Sequence, residues 1–262
     1  MIHQLPRRYP VAGVLASATT YADATEHIVR AARDRRSLLV AATSVHGVTV
    51  AARDAHFRQE LNTFDLITPD GQPIRWGLNL LHGAGLTDRV YGPTLMLRVC
   101  QAAAREGLSV YFYGSTPAVL ERLAQRLASR LPGLRIAGFR SPPFRPSTAA
   151  EEAADAAAIR ESGAHIVFVG LGCPRQERWA YRQRRALAMP IVCVGAAFDF
   201  HAGTLRQAPA WMQRRGLEWA FRLAMEPRRL WRRYGQAVPL YLFLLSRQYI
   251  ATRLRGRSVP LA

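Results

Sequence analysis

Six short apolar runs recur along the chain with helix-length segments between them, and this alternation constrains the fold more than any other feature. The runs are 38–42 (LLVAA), 64–68 (FDLIT), 109–113 (SVYFY), 134–138 (LRIAG), 166–169 (IVFV) and 190–194 (PIVCV). Helix-like segments fall near 21–35, 47–59, 72–81, 94–106, 116–130, 149–162 and 175–187. Strands alternating with helices imply βαβ units: an α/β fold with a mostly parallel, Rossmann-like sheet flanked by helices. The opening MIHQLPRRYPVAGVLASA superficially resembles a signal peptide. Its apolar run is short, however, and leads into a helix start at Tyr21, so it is expected to be a first strand. The Pro-rich connection 139–149 reads as a surface loop.

After residue 205 the alternation stops. The remainder of the chain is helical, arginine-rich and studded with aromatics, and Pro227 and Pro239 are expected to divide it into short pieces. The chain is therefore expected to comprise an α/β body over 1–207 and a helical, basic appendage over 208–262. The formal net charge is +18, and every one of the 36 basic residues is arginine. Residues 201–262 carry 12 arginines against two acids, so more than half the excess sits in the last quarter. Such a concentration points to an anionic partner. Nucleic acid, an anionic membrane surface and a diphosphate-bearing substrate all satisfy it. The odd number of cysteines, Cys100, Cys173 and Cys193, fits a reducing compartment, and no apolar stretch reaches the roughly 20 residues that span a bilayer. A cytoplasmic or peripheral protein is expected.

In open parallel sheets, ligands bind at the carboxyl ends of the strands, where helix N-termini and backbone N–H groups converge. The residues just after the candidate strands include Thr43, Asp70-Gly71, Gly114-Ser115, Gly170-Leu-Gly172 and Gly195. Asp70, in the turn Thr68-Pro-Asp-Gly-Gln-Pro, reads either as a helix cap or as a general base desolvated by substrate. Gly114-Ser115 opens a helix that either receives a phosphate or is a plain capped turn. Gly170-Leu-Gly172-Cys-Pro174 permits close backbone approach and puts Gln176 and Glu177 in the first turn of the next helix. It matches neither the dinucleotide nor the P-loop fingerprint. Cys173 beside these glycines lacks a visible histidine partner. The sequence contains no D-x-D and no His/Cys group with metal-ligand spacing, so neither metal nor cofactor is expected. Arginines and helix ends are left to meet any diphosphate charge. Arg222, Arg229 and Arg232 are spaced along one helical face if Pro227 only kinks the helix, and the amphipathic tail reads as an interfacial anchor from about residue 213.

Strings in a fixed order carry a resemblance: Thr43-Ser-Val-His46, Thr68-Pro-Asp-Gly71, Arg89-Val-Tyr-Gly92, Gly170 through Glu177, Val194-Gly-Ala-Ala-Phe-Asp199, Ala208-Pro209 and Gly216-Leu-Glu-Trp219 through Arg229. Together they resemble the WecG/TagA/CpsF glycosyltransferases over nearly the whole chain. That resemblance implies a GT-E-like α/β body with a membrane-binding appendage. It implies inverting, metal-independent transfer from a UDP-sugar to an undecaprenyl-diphosphate-linked saccharide at the inner face of the bacterial membrane. It assigns Asp70 as base, with Thr43 and Gln176 beside it in the cleft. It also assigns Arg222, Arg229 and Arg232 to diphosphate. Gly71, Arg89, Gly92, Gly114, Ser115, Gly170, Gly172, Pro174, Glu177, Gly195 and Asp199 are expected to bind substrate as the walls of the site. The family often has Asn where this chain has Val45, beside His46, and Arg where it has Gln207; both departures bear on which sugars are bound. No nucleic-acid partner is expected, since nucleic acid would account for the charge but not for Asp70 and the strand-end glycines. A homo-oligomer stays open.

Overall fold

A computed structural model describes residues 4–256. The chain opens with β1 (Arg8–Val11) and β2 (Val14–Ser17), then runs through α1 (Tyr21–Arg33), β3 (Leu38–Thr43), α2 (Val45–Arg53), α3 (Ala55–Asn62), β4 (Leu66–Pro69), α4 (Gln72–His82) and α5 (Gly92–Arg105). It continues with β5 (Ser109–Gly114), α6 (Pro117–Arg130), β6 (Arg135–Arg140), α7 (Ala149–Glu161), β7 (Ile166–Gly170), α8 (Arg175–Gln183), β8 (Pro190–Cys193) and α9 (Ala197–Ala202). The last part holds α10 (Ala210–Arg214), α11 (Glu218–Met225) and α12 (Pro227–Gly256).

Six strands form one parallel sheet in the order β4-β3-β8-β7-β5-β6. Successive side chains on a strand point to opposite faces, so both faces of such a sheet need apolar residues. Leu39, Ala41, Val167, Val169 and Ile191 enter the layer that also holds Phe57 and Trp179. Leu38, Val40, Val110, Phe112, Phe168 and Val192 enter the layer beneath α1, α5, α6 and α9. This is why the strands read in the sequence as unbroken apolar runs.

Three local expectations are corrected. The first strand is a hairpin, β1 antiparallel to β2, and stays outside the parallel sheet. A two-residue turn at Ala12-Gly13 folds it onto its own neighbour, and Ser17 Oγ then accepts the Ile67 N–H at 3.0 Å. The helix expected over 47–59 is two helices. Asp54 between them is extended (φ −126°, ψ 102°), and its carboxylate caps α3 by accepting the Phe57 N–H at 2.9 Å.

The third correction concerns the prolines of the appendage. Pro227 opens α12 and separates it from α11, whereas Pro239 lies inside α12 without ending it. A proline at a helix start lacks only an N–H that no carbonyl would have used. Pro239 does forfeit an intrahelical bond, but packing on both sides of it holds the helix. Ala237 and Tyr241 are buried, and the Tyr241 hydroxyl donates to the Pro73 carbonyl at 2.7 Å. Farther along, Gln248 donates to Pro10 O and accepts from Ala12 N, which ties α12 to the hairpin. Among the described residues no helix is long and apolar enough to cross a membrane.

At the carboxyl end of the sheet β5 and β7 approach so closely that Gly114 pairs with Gly170. Gly114 holds φ 124°, and a Cβ there would lie 2.6 Å from the Gly170 carbonyl. Gly114→Ala is therefore expected to destabilise the fold by at least about 1–3 kcal/mol, the usual cost of overpacking, with backbone strain added. A reduced urea midpoint at unchanged slope checks this.

Candidate active site

Asp70 sits where β4 empties into α4, at the carboxyl edge of the sheet. Its N–H donates to Thr43 O at 3.1 Å, which joins it to the end of β3. Its Oδ1 accepts the Gly92 N–H at 2.6 Å, at the first residue of α5. Gly92 is itself wedged: a Cβ would fall 3.2 Å from Ala42 Cβ, 3.2 Å from Val194 O and 3.3 Å from Asp70 Oδ1. A side chain here would press on all three, so glycine lets the α5 N–H come close to the carboxylate. Through this one residue the ends of β3, β4 and β8 meet.

On the β8 side, Gln176 is buried in the first turn of α8. Its Oε1 accepts the Gly195 N–H at 3.1 Å, and its Nε2 donates to Glu177 Oε1 at 2.8 Å. The Gln176 amide thus braces the loop after β8. Glu177 is buried, which pushes its carboxyl above the usual range. Burial also pushes the Cys173 thiol well up, so it stays protonated and is no nucleophile.

Burial raises the Asp70 carboxyl to about 6, and it prevails over the opposing pull of Arg89 and of the Gly92 N–H. Glu218 raises it further and Arg222 lowers it. Arg89 is buried over the Tyr91 ring, with Cζ 4.2 Å from the centroid, and forms an ion pair with the Glu218 carboxylate on α11. Glu218 thus offsets part of the Arg89 charge felt by Asp70. The Arg222 guanidinium lies 5.7 Å from the Phe200 ring and carries no such partner carboxylate among the described residues.

Thr43, Asp70, Gly71, Arg89, Gly92, Gln176, Gly195 and Arg222 are thus brought to one end of the sheet. Gly170, Gly172 and Pro174 form the adjoining β7–α8 turn, where Gly172 O accepts the Gln176 N–H. The hydrogen bonds of the Gly114-Ser115 turn are internal to the fold: Ser115 N–H donates to Gly170 O, and Thr116, not Ser115, caps α6. The Asp199 carbonyl accepts from Thr204. Arg222 and Arg232 lie on different helices, α11 and α12, rather than along one helical face, because Pro227 ends the register between them. Arg232 is exposed, 5.5 Å from the Trp231 centroid. Arg229 is on α12, and its side chain lies outside the described part of the structure.

Val45 begins α2 beside the Gly71 backbone. His46 is held to about 4 by burial first and by Arg233 and Arg53 next, so it is a neutral imidazole. Sequence reasoning gave Glu218 no role. A signal was there, since Glu218 and Glu226 are the only acids among the last 62 residues. A rare carboxylate in a basic segment is a candidate for a buried partner.

A family model described as the glycosyl transferase WecG/TagA/CpsF family matches residues 9–255. The chain belongs to the WecG/TagA/CpsF glycosyltransferases. Two curated relatives, from Bacillus spizizenii and Bacillus subtilis, are both named N-acetylglucosaminyldiphosphoundecaprenol N-acetyl-beta-D-mannosaminyltransferase. The first is 31% identical over 193 residues, covering 73% of this chain and 72% of the relative. The second is 27% identical over 192 residues, with the same coverage. In this WecG/TagA/CpsF glycosyltransferase the matched span takes in the sheet, the Asp70 cluster and most of α12.

A carboxyl raised from 3.8 to about 6 on folding binds its proton more tightly in the native chain. Stability is therefore lost as pH rises from about 4 to about 6 and is not regained above. Asp70→Asn removes that loss and keeps an acceptor for the Gly92 N–H. It is expected to raise the melting temperature more at about pH 8 than at about pH 4, as read by scanning calorimetry.

Proposed function

We propose that this glycosyltransferase moves a sugar from a UDP-sugar to a hydroxyl of a saccharide linked through diphosphate to undecaprenol, with inversion and without a metal. The observation that carries the reading is Asp70: a desolvated carboxylate at a strand end, gripped through one oxygen by the Gly92 N–H, with Arg222 in electrostatic reach. A carboxylate whose proton affinity has been lifted toward neutrality suits proton abstraction from an alcohol. The names of the two relatives support the acceptor class, and a donor of the N-acetylmannosamine, glucose or uronic-acid type is consistent with them.

In this mechanism Asp70 takes the acceptor hydroxyl proton as that oxygen attacks the anomeric carbon. The bond from the anomeric carbon to the diphosphate oxygen breaks on the opposite face, and UDP leaves with the electron pair. Arg222, together with Arg229 and Arg232, meets the charge that develops on the leaving diphosphate. Thr43 and the Gly92 N–H hold Asp70 in line, and Gln176 keeps the Gly195 loop in place around the donor. Chelators are without effect on such a reaction.

The acceptor's lipid calls for an enzyme seated on the inner face of the membrane. The appendage supports that placement. Trp211, Trp219, Trp231, Leu242 and Phe243 are exposed on segments rich in arginine, the composition of an interfacial anchor.

Two outcomes are expected. Asp70→Asn lowers turnover by about 10²–10⁴-fold, the typical worth of a general base, while UDP binding by calorimetry is retained. In the unaltered enzyme, kcat/KM falls about tenfold per pH unit below about pH 6, as one essential carboxylate becomes protonated. The anchor is tested separately: Trp231→Ala with Phe243→Ala reduces co-sedimentation with phosphatidylglycerol vesicles, and the far-ultraviolet circular dichroism stays unchanged.

A further inference from the structure

A second concave site lies on the flank of the body, between α5, α6, α9 and the strap after α9. It is a groove of about 560 Å³ lined by Arg126, Arg130, His201 and Gln207 over an apolar floor that includes Leu97 and Phe200. Arg126 and Arg130 are four residues apart on α6, so their charges share one helical face and repel. No carboxylate is among the residues lining the groove. Arg126 leans across Gly203 to the Ala202 carbonyl, a neutral brace. His201 donates from Nε2 to Pro93 O at 2.8 Å, and burial first, then Arg130 and Arg126, keep it neutral. The groove therefore brings together in one concavity two guanidinium groups that carry no ion-paired carboxylate among the described residues. Elsewhere on the surface Arg33 pairs with Glu106, Arg145 with Glu151 and Arg182 with Glu152.

We propose that this groove binds a small phosphate-bearing ligand. The paired guanidinium groups supply forked donors for phosphate oxygens. Gln207 adds an amide at the rim, and Leu97 with Phe200 offers a surface for the ligand's remaining part. The site is separate from Asp70 but touches the same framework, because Pro93 comes directly after Gly92, the residue that grips the Asp70 carboxylate. In this setting Gln207 is a determinant of the flanking groove, not of the sugar pocket.

The test is isothermal titration of the full chain with pyrophosphate, with UDP present at saturation so that the donor cleft is filled. UDP is titrated alone first. If the chain binds no UDP, the pyrophosphate titration is run without it and still reads the groove, so failure of the donor assignment is distinguished from failure of this one. One pyrophosphate per chain is expected. Arg126→Gln combined with Arg130→Gln weakens that binding by at least about tenfold, as loss of charge-assisted hydrogen bonds requires, and leaves UDP affinity unchanged. Gln207→Glu, an exposed change with little risk to folding, weakens it too by placing a carboxylate beside the two guanidinium groups. Glucose 1-phosphate and inorganic phosphate identify the source: tighter binding of the sugar phosphate marks an organic ligand, and equal binding a free anion. The proposal is overturned if the unaltered chain takes up no pyrophosphate, if both variants bind it undiminished, or if pyrophosphate and UDP affinity are lost together.

Discussion

The ion pair between Arg89 and Glu218 ties the two halves of this molecule to each other and to the chemistry. Both side chains are buried, and a buried charge is tolerated only when its partner stays in place. Arg89 belongs to the segment leading into α5, and Glu218 opens α11. The pair therefore docks the basic appendage against the same turn that presents Gly92 to Asp70. It also sets the electrostatics there. Burial outweighs the pull of Arg89 on the Asp70 carboxyl, and Glu218 raises its proton affinity further. The appendage thus contributes to the protonation of Asp70 through Glu218 as well as bringing Arg222 near it.

Asp70 illustrates how a buried carboxylate trades stability for proton affinity. A carboxylate in a desolvated turn costs free energy whenever it is ionised. The fold offsets part of that cost with one backbone N–H and with nearby arginines, and leaves the rest. The residual destabilisation is what lifts its proton affinity toward neutrality, as the proposed base role requires. Gly92 and the Gly114–Gly170 contact serve the same end by other means, since each lets backbone approach where a side chain would intrude.

Much of the body was legible in the sequence. The six sheet strands appear within two residues of the apolar runs; for all but the partly exposed edge strand β6 the reason is that a strand buried on both faces must be largely apolar. Asp70 and Gly195 could be placed at strand ends, and Gln176 in the helix turn that follows one, by the same logic, whereas Gly92 entered only with the family resemblance. The misread elements share a cause. Asp54 divides a continuous apolar pattern through its side-chain cap, the first strand turns back on itself at Ala12-Gly13, and Pro239 sits in an unbroken helix held by Tyr241. In each case a contact made by one or two residues overrides a pattern averaged over many.

The sequence by itself determined the parallel α/β body, the placing of Asp70 and a row of small residues at strand ends, and the basic character of the tail, since these derive from periodicity, turn chemistry and charge. Tertiary structure alone decided that Gly92 joins the β3, β4 and β8 ends around Asp70, that Glu218 neutralises Arg89, that Gln176 braces Gly195, and that Arg126 and Arg130 face a groove without a carboxylate. These depend on residues from 19 to 129 positions apart meeting in space. Local propensity carries no record of which distant partner will desolvate, pair with or brace a given side chain.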